Sequence, residues 1–76
     1  MSRLPQVSGE RLVRALQRAG FERVRQKGSH VLMRHGTDAS RRCIVAVHGG
    51  APIPPGTLRE ILRGSGLTVD ELRDLL

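Results

Sequence analysis

This chain is poor in aromatic residues. It has no Trp and no Tyr, and Phe21 is its single aromatic side chain. Any core must therefore be aliphatic, and twenty of the 76 residues are Leu, Ile or Val. Cysteine is almost missing too. Cys43 stands alone, so no internal disulfide can form, and a reducing cytosol fits that usage. No apolar run is long enough to span a membrane. The opening Met1-Ser2-Arg3-Leu4-Pro5 lacks the long apolar stretch of a signal peptide. The expectation is a soluble cytoplasmic protein without a membrane partner. Seventy-six residues suffice for one small domain, expected over 1–76 with its core at about 8–76.

Acidic residues are scarce as well. Seven Asp and Glu face thirteen Lys and Arg, for a formal net charge of +6. The excess is uneven. Residues 1–50 carry ten basic and three acidic side chains, whereas residues 51–76 carry three and four. Twelve of the thirteen basic residues are Arg. Guanidinium forks pair with phosphates in bidentate fashion and stack on bases, so the first fifty residues point to an acidic partner. Nucleic acid comes first, followed by an acidic protein that masks the patch. A solvated Arg-rich face is the plainer reading.

The apolar pattern divides the chain into elements. Ser8 can cap a helix over about residues 9–19, in which Leu12, Val13, Leu16 and Ala19 recur at helical spacing. Arg11, Arg14 and Arg18 fall on the other face, and Gly20 suits the terminus. Residues 21–26 read as a weak strand with only Phe21 and Val24 apolar. Lys27-Gly28-Ser29 can turn the chain into a second strand, His30 to His35. Cys43 to His48 is the strongest strand, rich in β-branched residues. The run from Gly49 to Pro55 cannot be helix interior and reads as an ordered loop. Thr57 with Glu60, and Thr68 with Glu71, each match a capping box and open two further helices, the first stopping near Gly64-Ser65-Gly66. The order is α-β-β-β-α with a short extra helix. It predicts an α+β fold with a three-stranded antiparallel sheet and helices on one face, an order shared by double-stranded-RNA-binding domains.

His30 is the leading candidate for chemistry. It follows Arg23, Arg25 and Lys27, which can hold a polyanion, and directly follows Gly28 and Ser29. Metal-free RNA cleavage needs a base for the 2′-hydroxyl proton, an acid for the leaving 5′-oxygen, and positive charge near the phosphorane. A free imidazole titrates near about pH 6.5 and can serve either proton step. Ser29 can orient the ring or bond a phosphate oxygen, and Gly28 allows close backbone approach. Lys27 and Arg25 can offset negative charge. A strand histidine with no role is the competing reading. His35, at an odd offset of five, falls on the opposite strand face. The three His and one Cys match no common zinc spacing, so no metal or other cofactor is expected. Cys43 reads as a small buried residue. Thr57 either contacts RNA or only caps its helix, and Arg59 projects from the first turn. A helix-turn-helix over residues 57–76 would be slightly acidic, which argues against direct DNA binding.

At these residues the chain resembles the HicA family of toxins from bacterial and archaeal toxin–antitoxin pairs. The matching run is Leu16…Ala19-Gly20-Phe21, then Arg25-Gln26-Lys27-Gly28-Ser29-His30, His35, and Val47-His48. Gly56-Thr57-Leu58-Arg59, Ile61-Leu62 and Gly66-Leu67 complete it. The resemblance implies a double-stranded-RNA-binding-like fold and ribonuclease activity on messenger RNA. It implies translation arrest without the ribosome, and neutralisation by a cognate HicB antitoxin. The family's catalytic His falls on His30, and its Gly-Ser on Gly28 and Ser29. Two departures stand out: Gly36 where such proteins usually have Pro, and Pro52 where an acidic residue often precedes the Ile. The expected function is a metal-independent endoribonuclease toxin. The alternative is a non-catalytic RNA-binding module with a basic strand face.

Overall fold

The computed structural model describes residues 3–76. Helix α1 (Gly9–Arg18) leads into strands β1 (Phe21–Lys27), β2 (His30–His35) and β3 (Arg42–Ala46). Helices α2 (Pro55–Ser65) and α3 (Val69–Leu75) follow. The strands form one open antiparallel sheet in the order β1-β2-β3. Fold class and element order are those expected.

Each helix is set by local chemistry. Ser8 caps α1 with its hydroxyl accepting from the Arg11 amide at 3.3 Å, and Leu12, Val13, Ala15 and Leu16 form the buried stripe. The Thr68–Glu71 capping box of α3 is complete in both directions, at 3.1 and 2.9 Å. Capping box geometry does not form at Thr57. Helix α2 begins three residues earlier than a Thr57 cap would start it, with Pro54 at the cap and Pro55 in the first position. Proline there has its φ set for the helix and no N–H left to satisfy, so it starts the helix without a side-chain cap. Thr57 is thus inside the first turn and exposed, and Glu60 pairs instead with Arg63 at 2.8 Å.

The core is aliphatic around one ring. Leu12, Leu16, Val31, Met33, Val45, Leu58 and Leu72 are fully or almost fully excluded from water. Helix α2 sits close on β3: a Cβ at Gly64 would collide with the carbonyl oxygen of Arg42. Arg18 donates from α1 to the Leu75 carbonyl at 2.7 Å and ties α3 to the bundle. Arg73 donates to the Arg3 carbonyl. The proline-bearing loop is ordered by pairing with the lead-in, Ser8 bridging Pro52 and the Ile53 amide donating to the Val7 carbonyl at 2.8 Å. This pairing draws the chain away from the sheet, so β3 ends at Ala46 and not at the expected His48. His48 is exposed in the loop.

Strand β1 is irregular. Phe21 is buried, at 3% exposure, but Val24 is 41% exposed. Between Arg23 and Arg25 the register with β2 shifts by one residue, leaving Val24 as the unpaired extra residue of a β-bulge.

Candidate active site

Alternation along β2 decides which side chains reach solvent. Val31 and Met33 point into the core, so His30, Leu32 and Arg34 point to the sheet face away from the buried side chains. On β3 the parity is the same. Cys43 and Val45 are buried, and Ile44 lies outward at 58% exposure. Register then gives the rows of this open face. Lys27, His30 and Ala46 make one row; Arg25, Leu32 and Ile44 make the next; Arg34 and Arg42 face each other beyond, with Glu22 opposite Arg34.

The bulge at Val24 makes this arrangement. In an unbroken strand Phe21, Arg23, Arg25 and Lys27 would share one side. Phe21 lies in the core, so Arg25 and Lys27 would turn toward the helices. The one-residue shift sends both to the open face, opposite Leu32 and His30. Arg23, before the shift, stays opposite Met33 on the helix-facing side of an edge strand. The three cations at alternate positions 23, 25 and 27 are therefore divided between two surfaces.

The result is a groove of about 470 Å³ lined by Arg25, Lys27, Gly28, His30, Leu32 and Ile44. Its floor is aliphatic and its rim cationic. His30 is exposed, and among the described residues no hydrogen bond engages its ring. No carboxylate lines the groove.

The hairpin turn that presents His30 is built locally. Gly28 has φ +59 and Ser29 a negative φ, the combination of a type II′ turn, which needs glycine in its first central position. Arg23 donates to Gln26 Oε1 at 2.9 Å, and Gln26 Nε2 donates to the Gly28 carbonyl at 2.9 Å. The Ser29 carbonyl accepts from the Val47 amide at 2.7 Å, fastening the turn to the end of β3. Arg23 thus supports the turn and does not line the groove.

Other candidates lie elsewhere. Thr57 and Arg59 are exposed on α2 and do not line the groove. His35 ends β2 on the opposite face from His30. Its ring stands edge-on to Phe21 at 5.2 Å, Thr37 bonds its Nδ1 at 3.2 Å, and the Arg41 guanidinium lies 5.4 Å from the Phe21 centroid. Burial pushes the Cys43 thiol up to about 11, which keeps it protonated and a poor nucleophile. Among the described residues, no three His, Cys, Asp or Glu side chains converge as metal ligands, and no helix is long and apolar enough to cross a membrane.

Sequence reasoning passed over Leu32, Ile44 and the supporting role of Gln26. Parity carried a signal for Ile44, since it alternates with Cys43 and Val45 in an apolar run. Nothing in the sequence marked the bulge.

These features define a small α+β protein whose uncovered sheet face carries a cationic groove around one free histidine. The comparison with known families gives it a more particular place. Residues 9–67 match the family model described as the HicA toxin of bacterial toxin-antitoxin. The chain belongs to the HicA family, and so is the toxin of a toxin–antitoxin system. No curated protein matches it closely enough to count as a relative.

Proposed function

We propose that this toxin is an endoribonuclease that cleaves messenger RNA at the groove around His30. The observation that carries the reading is the placement of an exposed imidazole in a groove whose rim is Arg25 and Lys27 and which no carboxylate lines. A phosphodiester bound by those cations presents its ribose to His30. The imidazole takes the 2′-hydroxyl proton, the 2′-oxygen bonds to phosphorus, and the bond from phosphorus to the 5′-oxygen breaks. The leaving oxygen takes a proton from the imidazolium or from water. Lys27 and Arg25 offset the charge gathered on the phosphorane oxygens. The Gly28 turn and the Ser29 carbonyl hold the strand end that carries His30. No step calls for a metal ion.

Thr57 and Arg59 serve as outlying contacts for RNA or antitoxin in this reading. A HicB-like antitoxin neutralises the toxin in the cytoplasm by covering His30 and the cationic face, to which an acidic surface is complementary. The slightly acidic region of residues 51–76 takes no part in binding DNA.

One observation favours the second reading, a non-catalytic RNA-binding module: His30 is the only imidazole or carboxylate lining the groove. Cleavage separates the two. The purified chain is incubated in EDTA with a defined single-stranded RNA, and with the same RNA bearing one 2′-deoxy nucleotide at the cut site. The expected result is cleavage in EDTA, with 2′,3′-cyclic phosphate ends, and none at the deoxy position. Intact RNA bound by folded protein would move the assignment to the binding module.

A further inference from the structure

The floor of the groove is apolar, and it is exposed. Ile44 and Val24 are the only large hydrophobic side chains left open to solvent among the described residues, and Ile44 is the more exposed. Ile44 lies directly opposite Leu32, and Leu32 directly opposite Arg25. Together they form a ledge across the middle of the open face: Arg25, then two branched aliphatic side chains, all three lining the groove. His30 and Lys27 stand one row away, two residues along the strands and so roughly 7 Å distant. Arg34 and Arg42 oppose each other one row to the other side, with Glu22 the single acid in these rows.

Proteins that bind single-stranded RNA seat bases on aromatic side chains or guanidinium planes and hold the backbone with cations. This chain has no Trp or Tyr, and its one Phe, Phe21, is buried under His35 and Arg41. The one imidazole in the groove, His30, is taken up by the proposed proton transfer. Ile44, Leu32 and Arg25 supply the flat, partly apolar surface in place of an aromatic seat. The cations that flank the ledge on both sides suit a polyanion whose backbone passes over the rows while one base lies between them.

We infer that the Arg25–Leu32–Ile44 ledge is a base-seating subsite that takes one unpaired nucleobase beside the scissile phosphate. This inference rests on the proposed action at His30 and adds what the substrate must be there: RNA unpaired at that nucleotide. A paired base keeps its faces inside the stack and cannot lie on the ledge, so duplex RNA is excluded from the seat. Leu32 and Ile44 offer no side-chain hydrogen bonds, so their part of the seat reads the presence of a base more than its identity.

The test uses 2′-O-methyl oligonucleotides, which lack the nucleophile and are bound without being cut. Fluorescence anisotropy gives affinities for a single-stranded 12-mer, for its duplex, and for 12-mers with one abasic site moved along the strand. Ile44→Ala and Ile44→Phe are compared with the wild type. Ile44→Ala is expected to weaken single-strand binding about fivefold, within the range of one lost base contact, and to leave duplex binding unchanged. Ile44→Phe restores or exceeds wild-type affinity. One abasic position should cost the wild type about as much as Ile44→Ala does, and cost that variant nothing further. Equal losses for single strand and duplex, or no abasic position that couples to Ile44, would overturn the inference. Cleavage of unmodified RNA by the wild type is measured in parallel. Its absence would sink the nuclease reading, while the affinities still decide the seat.

Discussion

Two histidines stand at the two ends of β2, and they live in different surroundings. His35 is half-buried, edge-on to Phe21, with Thr37 on its Nδ1 and Gly20 close beneath its Nε2. His30 is exposed, without a hydrogen-bond partner among the described residues, beside Lys27 and Arg25. An offset of five residues puts them on opposite faces of one strand. The face that the helices cover makes His35 part of the packing. The uncovered face leaves His30 free to meet a ligand. Residue type is shared; parity against the core separates the roles.

The largest expected effect breaks that pair directly. His30→Ala should leave the fold intact and lower single-turnover RNA cleavage by about 100-fold or more, the usual loss with one acid–base group. His35→Ala should do the reverse. It removes the edge-on partner of Phe21, costs about 1 kcal/mol of stability, and leaves the rate per folded molecule close to wild type. Circular dichroism melts beside the kinetics separate the two outcomes. Equal losses of cleavage at equal stability would erase the distinction.

A smaller effect sharpens the comparison on β1. Arg23 and Arg25 are two residues apart, yet the bulge sends them to opposite sides. Arg25→Ala should weaken RNA binding and reduce the slope of log affinity against log salt by about 0.7, the share of one single-strand phosphate contact. Arg23→Ala should leave that slope unchanged and act through the Gln26 bridge to the hairpin turn. Matching slope changes for both would mean that the bulge does not sort them.

The smallest effects concern pH and serve to keep site and fold apart. Thr68 amide and hydroxyl bonds hold the Glu71 carboxyl below its usual range, and Ser40 bonds do the same for Asp38. Both carboxyls are depressed in the fold. Their contribution is complete above the unfolded carboxylate range, near about pH 4, and is lost as pH falls through their lower folded values. The Cys43 thiol is raised to about 11, so its neutral form is favoured in the fold. That contribution is complete below the unfolded thiol value and fades as pH rises toward 11. From these three groups the melting temperature should be level between about pH 5 and 8. A shift in cleavage across that window, with a level melting temperature, reports the groove and not the scaffold.

Much of the fold was legible because burial follows parity. Val31 and Met33, or Leu12 and Leu16, announce their faces by spacing alone, and Ser8 and the Thr68–Glu71 box announce helix starts by chemistry. Less legible were features in which two local preferences compete. Thr57 and Glu60 have the spacing of a capping box, but Pro54-Pro55 just ahead starts the helix first. Cys43 to His48 reads as one β-branched run, but pairing of the loop with Val7 and Ser8 takes its last residues out of the sheet. The groove was legible only in part. His30, Gly28, Lys27 and Arg25 could be named from sequence, whereas Ile44 was hidden in an apolar run. The bulge at Val24 is a backbone insertion that leaves no residue signature, so the separation of Arg23 from Arg25 appears only in the register.

The central claim is that RNA is held on the uncovered sheet face and not on the helical side. Amide chemical-shift mapping with a non-cleavable single-stranded RNA tests it most directly. The account predicts that perturbations gather on Arg25, Lys27, His30, Leu32 and Ile44. Perturbations gathered on α1 and α2, with the His30 row unmoved, would contradict it.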